Sequence, residues 1–367
     1  MDTDKLQNRR DIVSLLTMED FTPVYEAADK VRRDNVGDTV HLRAIIEFSN
    51  ICRRQCRYCG LNRDNRRLRR MRMTPEEIIA TAHEAAAAGY RTIVLQSGED
   101  EWFTAERLGD IIEEIKKMTV PVKSGEVIHP AVTVSCGEMA EEDYAYLRAK
   151  GADRYLLKHE TADPELYDSL HPCGTLSRRI DCLKTIYRLG YEVGSGFMVG
   201  LPGQTMQTIA DDLLLLKSIP CHMAGIGPFI SNPKTALAGE ENGDPETTRR
   251  AVAIARLLLP KVNLPVTTAL SVLSEPAPAG KCTHTGEPAP TAKLAPAAKR
   301  THDGKPASSI GDANPFAFGA NVVMKKVTPD RYKEAYEIYP ARFKQTDIAG
   351  DRKELETLIK GCGRKPL

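Results

Sequence analysis

The sequence predicts an α/β protein built around a closed (β/α)8 barrel, a TIM-type fold. Apolar, strand-like runs alternate along the chain with amphipathic segments of about ten to fifteen residues, which is the pattern of a parallel sheet with crossover helices. There are about eight such units, and that number favours a closed barrel over an open doubly wound sheet. No Gly-x-Gly-x-x-Gly sequence opens a helix after the first run, as a doubly wound nucleotide-binding fold requires.

The elements can be assigned in chain order. Apolar residues recur at helical spacing over residues 11–34, so we expect an N-terminal helical extension that covers one end of the barrel. Thr74 is a predicted N-cap, because proline follows it at the first helical position and glutamates occupy the first turn. The predicted strands are residues 40–48, 92–98, 131–137, 154–161, 192–201, 222–229, 264–270 and 320–325.

The chain divides into four predicted parts. Residues 274–315 are rich in Pro, Ala, Lys and Gly without apolar periodicity, so we expect a flexible, disordered insertion near the last strand. This insertion separates the barrel core, residues 40–273, from residues 316–367, which carry the last barrel strand and C-terminal helices. Residues 1–39 are expected to form the helical cap.

The composition limits the function classes. The 367 residues contain 51 Lys and Arg against 50 Asp and Glu, so nucleic acid is not a favoured partner. The first residues are charged and no apolar run reaches membrane-spanning length, so neither a secretory signal nor a membrane partner is expected. We therefore expect a cytoplasmic protein whose nine cysteines stay reduced or bind metal.

Three cysteines directly after the first predicted strand carry the strongest chemical signal. Cys52, Cys56 and Cys59 have the spacing C-x3-C-x2-C. Three thiolates on one short loop can bind three irons of a 4Fe-4S cluster, which leaves the fourth iron open for chemistry. A zinc site would need a distant fourth ligand, since the nearest downstream histidine, His83, lies in a helical pattern. Unrelated core cysteines are the remaining alternative.

Polar or glycine-rich residues follow two predicted strands, at the end of a barrel where active sites lie. Gln96, Ser97 and Gly98 end the second strand, and the glycine would let a ligand approach the backbone, although an ordinary turn also explains it. Lys158 and Glu160 end the fourth strand. Their charges could bind a carboxylate and hydroxyl or ammonium groups, or the two residues could form an internal ion pair.

Three further segments are candidates for binding. Arg179 precedes an apolar helix and either holds a second carboxylate or is exposed. Residues 194–205 include Met198 and Gly200, and the repeated glycines either let a flat group lie on the backbone or serve only a tight turn. Residues 63–72 contain six arginines, which form either a solvated face or a docking site for an acidic partner or a reductant.

Some strand residues could point into the barrel. Arginines and hydroxyl side chains there suit a small, multiply carboxylated or amino-acid-like ligand. Buried ion pairs with glutamates of the barrel would explain the arginines equally well. These residues are Arg43, Thr133, Arg154, Thr267 and Thr268.

The cysteine motif, with Tyr58 directly before the third cysteine, is similar to the signature of the radical-SAM superfamily. Within that superfamily the chain resembles the HydE family, the radical-SAM maturases of FeFe-hydrogenase, which belong to the biotin synthase-like branch. The strings that carry this resemblance include residues 44–50, 58–61, 94–100, 198–205 and 225–230.

This resemblance implies an enzyme that uses one 4Fe-4S cluster, held by Cys52, Cys56 and Cys59, and S-adenosylmethionine (SAM). Reductive cleavage of SAM would give a 5′-deoxyadenosyl radical. The radical would act on a cysteine-bound iron–carbonyl–cyanide precursor during assembly of the dithiomethylamine bridge of the hydrogenase H-cluster. The implied partners are this organometallic or another small-molecule substrate, a low-potential electron donor, and the other maturases (a scaffold GTPase and a synthon-producing radical-SAM enzyme).

The resemblance also implies site residues. Those implied for SAM are Tyr58, Gln96, Ser97, Gly98, Lys158, Glu160, Arg179, Met198 and Gly200. Those implied for catalysis at the substrate are Arg43, Thr133, Arg154, Thr267, Thr268 and Tyr332, with Tyr336 as the alternative to Tyr332.

The chain departs from the family pattern at several positions. Lys158 stands where the family has arginine, which keeps the charge but loses a bidentate fork. Cys362 is the only cysteine near the C-terminus, so no second cluster is expected. Ser195 weakens a biotin synthase-like activity, because that activity needs a cysteine on the fifth strand. Methylornithine synthase-like chemistry on an amino-acid-like substrate and a non-catalytic iron–sulfur carrier or scaffold remain as alternatives.

Overall fold

Eight parallel strands form a barrel at the centre of the computed structural model, which describes residues 6, 8–122, 125–267, 314–340 and 343–367. The predicted fold class is therefore confirmed. The strands are β1 (Thr39–Ser49), β2 (Thr92–Ser97), β3 (Ala131–Ser135), β4 (Arg154–Leu156), β5 (Glu192–Ser195), β6 (Cys221–Ala224), β7 (Pro265–Val266) and β8 (Val322–Lys326).

The strand order around the barrel is β7-β8-β1-β2-β3-β4-β5-β6, and all of these neighbours are parallel. A single parallel bridge between Met223 of β6 and Asn263, just before β7, joins the two ends of this order. Two hydrogen bonds accompany the bridge, from Ala224 N to Asn263 O (3.0 Å) and from Asn263 N to His222 O (3.0 Å). In this closed order β4 lies opposite β8, and β1 lies opposite β5.

The alternation of side chains along β1 separates the two sides of the barrel wall. Leu42, Ala44 and Ile46 are buried in the apolar layer between strands and helices. The residues between them point into the barrel, because successive side chains of a strand face opposite ways. Arg43 lies in a small void there and Glu47 lines a larger cavity.

Helices surround the strands. The predicted start at Thr74 is confirmed: Thr74 Oγ1 accepts a hydrogen bond from Glu77 N (3.3 Å), and a Glu77 carboxylate oxygen accepts one from Thr74 N (2.8 Å). The described helices are α1 (Arg9–Leu16), α2 (Thr22–Val36), α3 (Pro75–Ala87), α4 (Ala105–Lys117), α5 (Glu141–Ala149), α6 (Pro164–Leu170), α7 (Leu176–Arg188), α8 (Met206–Ser218), α9 (Pro245–Leu258), α10 (Asp330–Lys333) and α11 (Ile348–Gly361).

The two N-terminal helices pack on the outer helices α8 and α9. The Arg250 guanidinium of α9 fixes the connection between them by donating to Leu16 O (3.1 Å) and Met18 O (2.7 Å). No helix in the described part of the chain is both long and apolar enough to cross a membrane. The predicted division into four parts stays a prediction.

Several predicted strands are shorter in the structure, among them those over 154–161, 192–201 and 222–229. The strand predicted over 192–201 breaks after β5 and resumes as Met198–Val199, which pairs with Gly227–Pro228. A Cβ atom at Gly196 would lie 2.1 Å from Gly225 O, so close approach of two backbones at this break requires glycine. Most of the predicted insertion 274–315 and the end of the predicted strand 264–270 lie outside the described residues.

Candidate active site

A cavity of about 340 Å³ opens at the carboxyl ends of the barrel strands and contains the three cysteines of the C-x3-C-x2-C loop in its wall. This is the end of a barrel where catalytic groups collect. Predicted site residues in the same wall are Tyr58, Gln96, Ser97, Gly98, Lys158, Glu160, Arg179, Met198 and Thr267.

The backbone of the cysteine loop is held by one arginine and one close packing contact. The Arg70 guanidinium donates to Asn50 O (2.7 Å), Leu61 O (2.7 Å) and Asn62 O (2.6 Å), and so ties both ends of the loop together. Gly60 N donates to Ile338 O (2.8 Å), and a Cβ atom at Gly60 would overlap a neighbouring backbone carbonyl. The loop is therefore fixed in shape by main-chain contacts.

The three thiols have the chemistry that an iron–sulfur cluster needs. Burial, with the nearby Cys52 thiol, raises the pKa of Cys56 to about 12, and burial also raises the pKa values of Cys52 and Cys59. A bound metal must therefore replace these protons. No group of three His, Cys, Asp or Glu side chains among the described residues surrounds a single metal ion. Thiolates that each bind a different iron of a cluster need not converge on one point.

Gly98 brings the end of β2 against the cysteine loop. Gly98 N donates to Ser49 O (2.9 Å), and Arg53 N donates to Glu99 O (3.1 Å). A Cβ atom at Gly98 would lie 2.3 Å from Ile51 O and 2.8 Å from the Cβ atom of Cys52. Only glycine fits at this contact.

Two opposite charges just after β4 form no ion pair or hydrogen bond with the described residues. The Lys158 ammonium makes no ion pair or hydrogen bond there, and the Glu160 carboxylate accepts no hydrogen bond there, although both line the cavity. Glu160 has a φ of 67° and is the only described non-glycine residue with positive φ. Such a backbone costs about 1–3 kcal/mol, and residues of this kind cluster at functional sites.

A buried chain of charges connects the cysteine loop with α7. Arg54 contacts Glu99 (2.7 Å) and Glu138 (3.1 Å), and Glu138 accepts a hydrogen bond from Arg179 (2.7 Å). Arg179 also donates to Lys158 O (2.9 Å). These bonds use two of its five N–H donors and leave the others for a ligand.

The aromatic residue of the motif is oriented by a histidine. The Tyr58 hydroxyl lies 2.9 Å from His171 Nε2, and His171 Nδ1 lies 2.9 Å from Tyr167 O. Because a carbonyl oxygen only accepts, Nδ1 carries the proton and Nε2 accepts from the Tyr58 hydroxyl. Burial lowers the pKa of His171 to about 4, so the imidazole is neutral at pH 7. This chain fixes the Tyr58 ring in the cavity wall.

The opposite wall of the cavity carries a second polar group. The Glu47 carboxylate of β1 is fully buried and lies 2.8 Å from Lys326 Nζ, at the end of β8. Burial raises the pKa of Glu47. Beside it, the Gln96 side chain donates to the Tyr336 hydroxyl (3.4 Å). Tyr336 therefore occupies the cavity wall.

Three residues expected at the substrate lie deeper in the barrel. Arg43, Thr133 and Arg154 line a separate void of about 10 Å³, which Leu156 and Met223 share with the larger cavity. Arg154 pairs with Glu192 (2.6 Å), while Arg43 Nε, Thr133 Oγ1 and Arg154 Nη1 have no hydrogen-bonding partner among the described residues. Arg154 thus pairs with a glutamate of the barrel, but this pair is partly exposed, with 45% of the Glu192 side chain accessible, and is not the buried pair of the alternative.

The structure locates two predicted residues away from the cavity wall. The Tyr332 hydroxyl of α10 donates to the Glu77 carboxylate (2.7 Å), so this side chain is engaged with α3. Gly200 forms a backbone contact in which a Cβ atom would lie 2.3 Å from Gly243 Cα, so the glycine serves chain packing. Thr268 lies outside the described residues.

The sequence reasoning missed four side chains that the fold brings to the site. His171 follows Tyr167 by one helical turn, and that spacing was the only local signal for it. Glu47 and Lys326 lie far apart in the chain, and Glu138 follows the third strand in an ordinary turn. Only the barrel register brings such residues together.

The chain is similar to several known proteins. The family model described as "Radical SAM superfamily" matches residues 46–216. The [FeFe] hydrogenase maturase subunit HydE of Thermotoga maritima is 44% identical over 319 residues, which cover 87% of this chain and 79% of that protein. The 3-methylornithine synthase of Methanosarcina acetivorans is 28% identical over 259 residues, which cover 70% of this chain and 71% of that protein.

A solved structure shares the fold. The crystal structure of methylornithine synthase (PylB) has a TM-score of 0.75 and 22% sequence identity, and the match covers 100% of this chain and 97% of that chain. Its barrel is thus similar to the one described above. At this identity the comparison supports the fold and not a shared function.

Proposed function

The chain belongs to the HydE family of radical SAM enzymes, and from that premise we propose that it acts in maturation of the FeFe-hydrogenase H-cluster, on the cysteine-bound precursor of the dithiomethylamine bridge. As a radical SAM enzyme it uses a 4Fe-4S cluster and SAM. The observation that carries the site assignment is the meeting of three motif cysteines, an unpaired ammonium and an unpaired carboxylate in one cavity at the barrel mouth.

The residues present fit both groups. When bound, the reduced cluster would supply the electron for reductive cleavage of the SAM sulfonium. The Cys52, Cys56 and Cys59 thiolates would hold three of its irons. Lys158 is suited to the methionyl carboxylate and Glu160 to ammonium or ribose hydroxyl groups, since charge-assisted hydrogen bonds satisfy both otherwise unpaired side chains.

Other side chains hold this arrangement in place. Tyr58, fixed by His171, offers an aromatic face to the adenine ring. The buried Arg54–Glu138–Arg179 chain couples the position of the cysteine loop to that of α7. Such supporting contacts limit the error in the placement of reacting groups, and an error of about 1 Å can cost a factor of about 100 in rate.

The test has two stages. Anaerobically reconstituted protein with SAM and dithionite should form 5′-deoxyadenosine, and Cys56→Ala should not. A non-catalytic iron–sulfur carrier would form none in either case. Deletion of the gene should then leave the host's FeFe-hydrogenase without its bridged di-iron centre, and restoration of the wild-type gene should recover it. A host that keeps the intact centre after deletion would contradict the maturase assignment and favour methylornithine synthase-like chemistry.

We also propose that the electron donor is an acidic, low-potential carrier protein that binds beside the cysteine loop. Arg57, Arg63, Arg66 and Arg67 are exposed on this loop and the segment after it. Arg57 borders a surface groove of about 470 Å³ together with Lys234. A cluster of cations near the cysteines would steer an anionic donor to the short distance that electron transfer needs. The cytoplasm, where such carriers occur, is the proposed location.

A further inference from the structure

The ion pair formed by Glu47 and Lys326 belongs to the cavity wall and has no role in the cofactor arrangement above. Glu47 is fully buried on β1, and Lys326 ends β8 with 24% of its side chain exposed. Both line the cavity that contains the cysteines. Removal of two charges from water costs free energy that one contact between them only partly returns. Packing alone therefore does not explain why two charged side chains occupy this position.

The position of the pair is fixed by the strand order. β8 lies opposite β4 in the closed barrel, so Lys326 faces the wall that carries Lys158 and Glu160. Register supports this: Lys326 pairs with Ile45 of β1, two residues before Glu47 on the same inward face. The cavity thus has a charged pole on each of two opposite walls: Glu47 with Lys326, and Lys158 with Glu160. The cysteine loop lies in the wall of the same cavity.

The hydrogen-bonding capacity of the pair is unused. Lys326 Nζ lies 2.8 Å from Glu47 Oε1 as an ion pair, but neither Oε1 nor Oε2 of Glu47 accepts a hydrogen bond from the described residues. An ammonium has three donors, so Lys326 also keeps capacity for a further acceptor. Acceptors and donors with capacity for a ligand therefore lie side by side at this pole.

We propose that Glu47 and Lys326 together bind the α-ammonium and α-carboxylate of an amino-acid moiety in the substrate. Glu47 Oε2 accepts from the ammonium and Lys326 Nζ donates to the carboxylate. The zwitterion thus satisfies hydrogen-bonding groups of both side chains. The side chain of that moiety then points across the cavity toward the pole at Lys158 and Glu160. This inference rests on the proposed function in that it names the recognised part of the same enzyme's substrate.

The neighbouring lysine provides a matched control. Lys325 has the same residue type, lies next to Lys326 and pairs with the buried Asp351 at 2.8 Å. Its side chain leaves the strand on the opposite face, toward α11, and does not line the cavity. Lys325→Met therefore removes a paired lysine from β8 without touching the proposed site.

The test measures binding without turnover, in the SAM-loaded holoprotein under anaerobic conditions. The probes are L-2-aminobutyrate, butyrate and propylamine, which lack a thiol, and SAM is kept saturating so that their amino and carboxylate groups do not compete for the open iron. Their affinities are read by ligand-observed NMR titration. Wild-type protein should bind L-2-aminobutyrate at least about tenfold more tightly than either single-charge probe. Lys326→Met should abolish the preference over propylamine, and Glu47→Gln should abolish the preference over butyrate. Lys325→Met should change neither.

Folding of each variant is checked by its iron content and by 5′-deoxyadenosine formation with dithionite in the absence of substrate. If a single variant leaves an unpaired charge and does not fold, the double variant Glu47→Gln/Lys326→Met removes both charges and should bind the three probes equally. Equal binding of the probes by the wild type, or an equal loss in Lys325→Met and Lys326→Met, would overturn the inference. Failure of the wild type to form 5′-deoxyadenosine would instead overturn the proposed function.

Discussion

Replacement of Gly98 by alanine tests whether activity requires the close packing of the cysteine loop against the end of β2. A Cβ atom there would lie 2.3 Å from Ile51 O and 2.8 Å from Cys52 Cβ, whereas ordinary contacts begin near 3.4 Å. The loop must therefore move by about 1 Å relative to β2. A displacement of that size costs about 100-fold in rate when it separates reacting groups, and overpacking costs about 1–3 kcal/mol of stability.

The assay is the rate of 5′-deoxyadenosine formation from SAM and dithionite, normalised to bound iron. Gly98→Ala should lower this rate about 100-fold, because the cysteine loop and the end of β2 no longer hold their relative positions. Gly361→Ala is the matched control, since a Cβ atom at Gly361 has no described atom within 4 Å. A Gly98→Ala protein with a full cluster and a rate within threefold of wild type would refute the reasoning.

Three further predictions concern other parts of the site. Lys158→Met should weaken SAM binding about tenfold or more without loss of iron, while Lys158→Arg should keep most of the affinity; equal effects of the two in equilibrium dialysis would argue against a charge contact. Burial lowers the pKa of His171 to about 4 from 6.5, so the unfolded chain takes up its proton first as the pH falls. Folding stability should therefore decrease by about 3 kcal/mol between pH 6.5 and 4, and His171→Phe should flatten that part of the urea-unfolding profile. Arg66→Glu/Arg67→Glu should slow SAM cleavage about tenfold with reduced flavodoxin as donor and leave cleavage with dithionite unchanged, whereas Arg10→Glu on α1 should change neither rate.

The strongest predictions came from patterns that local physics enforces. The cysteine spacing places three thiols on one loop whatever the rest of the fold does, and the N-cap at Thr74 depends only on its own turn. The alternation of apolar runs with helices also predicts the parallel barrel, because consecutive parallel strands must be joined by a crossover helix. The location of Lys158 and Glu160 in the cavity can be predicted because residues just after a barrel strand lie at the mouth of the barrel.

Other expectations differ from the structure where side-chain contacts decide the outcome. The resemblance implies Tyr332 at the substrate, but its hydroxyl donates to Glu77 of α3, and Tyr336, four residues later, lies in the cavity wall. It also implies Gly200 at SAM, but the absence of a side chain there makes room for Gly243. A sequence shows that a residue is near a strand end, while the neighbour it meets depends on packing between distant segments.

The barrel, the cysteine loop and the strand ends that form the mouth can be predicted from the sequence, because each follows from periodicity or spacing within a few residues. Which charges share the cavity depends instead on contacts between distant segments. Glu47 and Lys326 are far apart along the chain and meet because β1 and β8 are neighbours in the closed barrel. Arg43 and Arg154 lie below the cavity because their positions along the strands place them deeper in the barrel. Strand register sets such depths and partners, and register is fixed by the packing of the whole barrel.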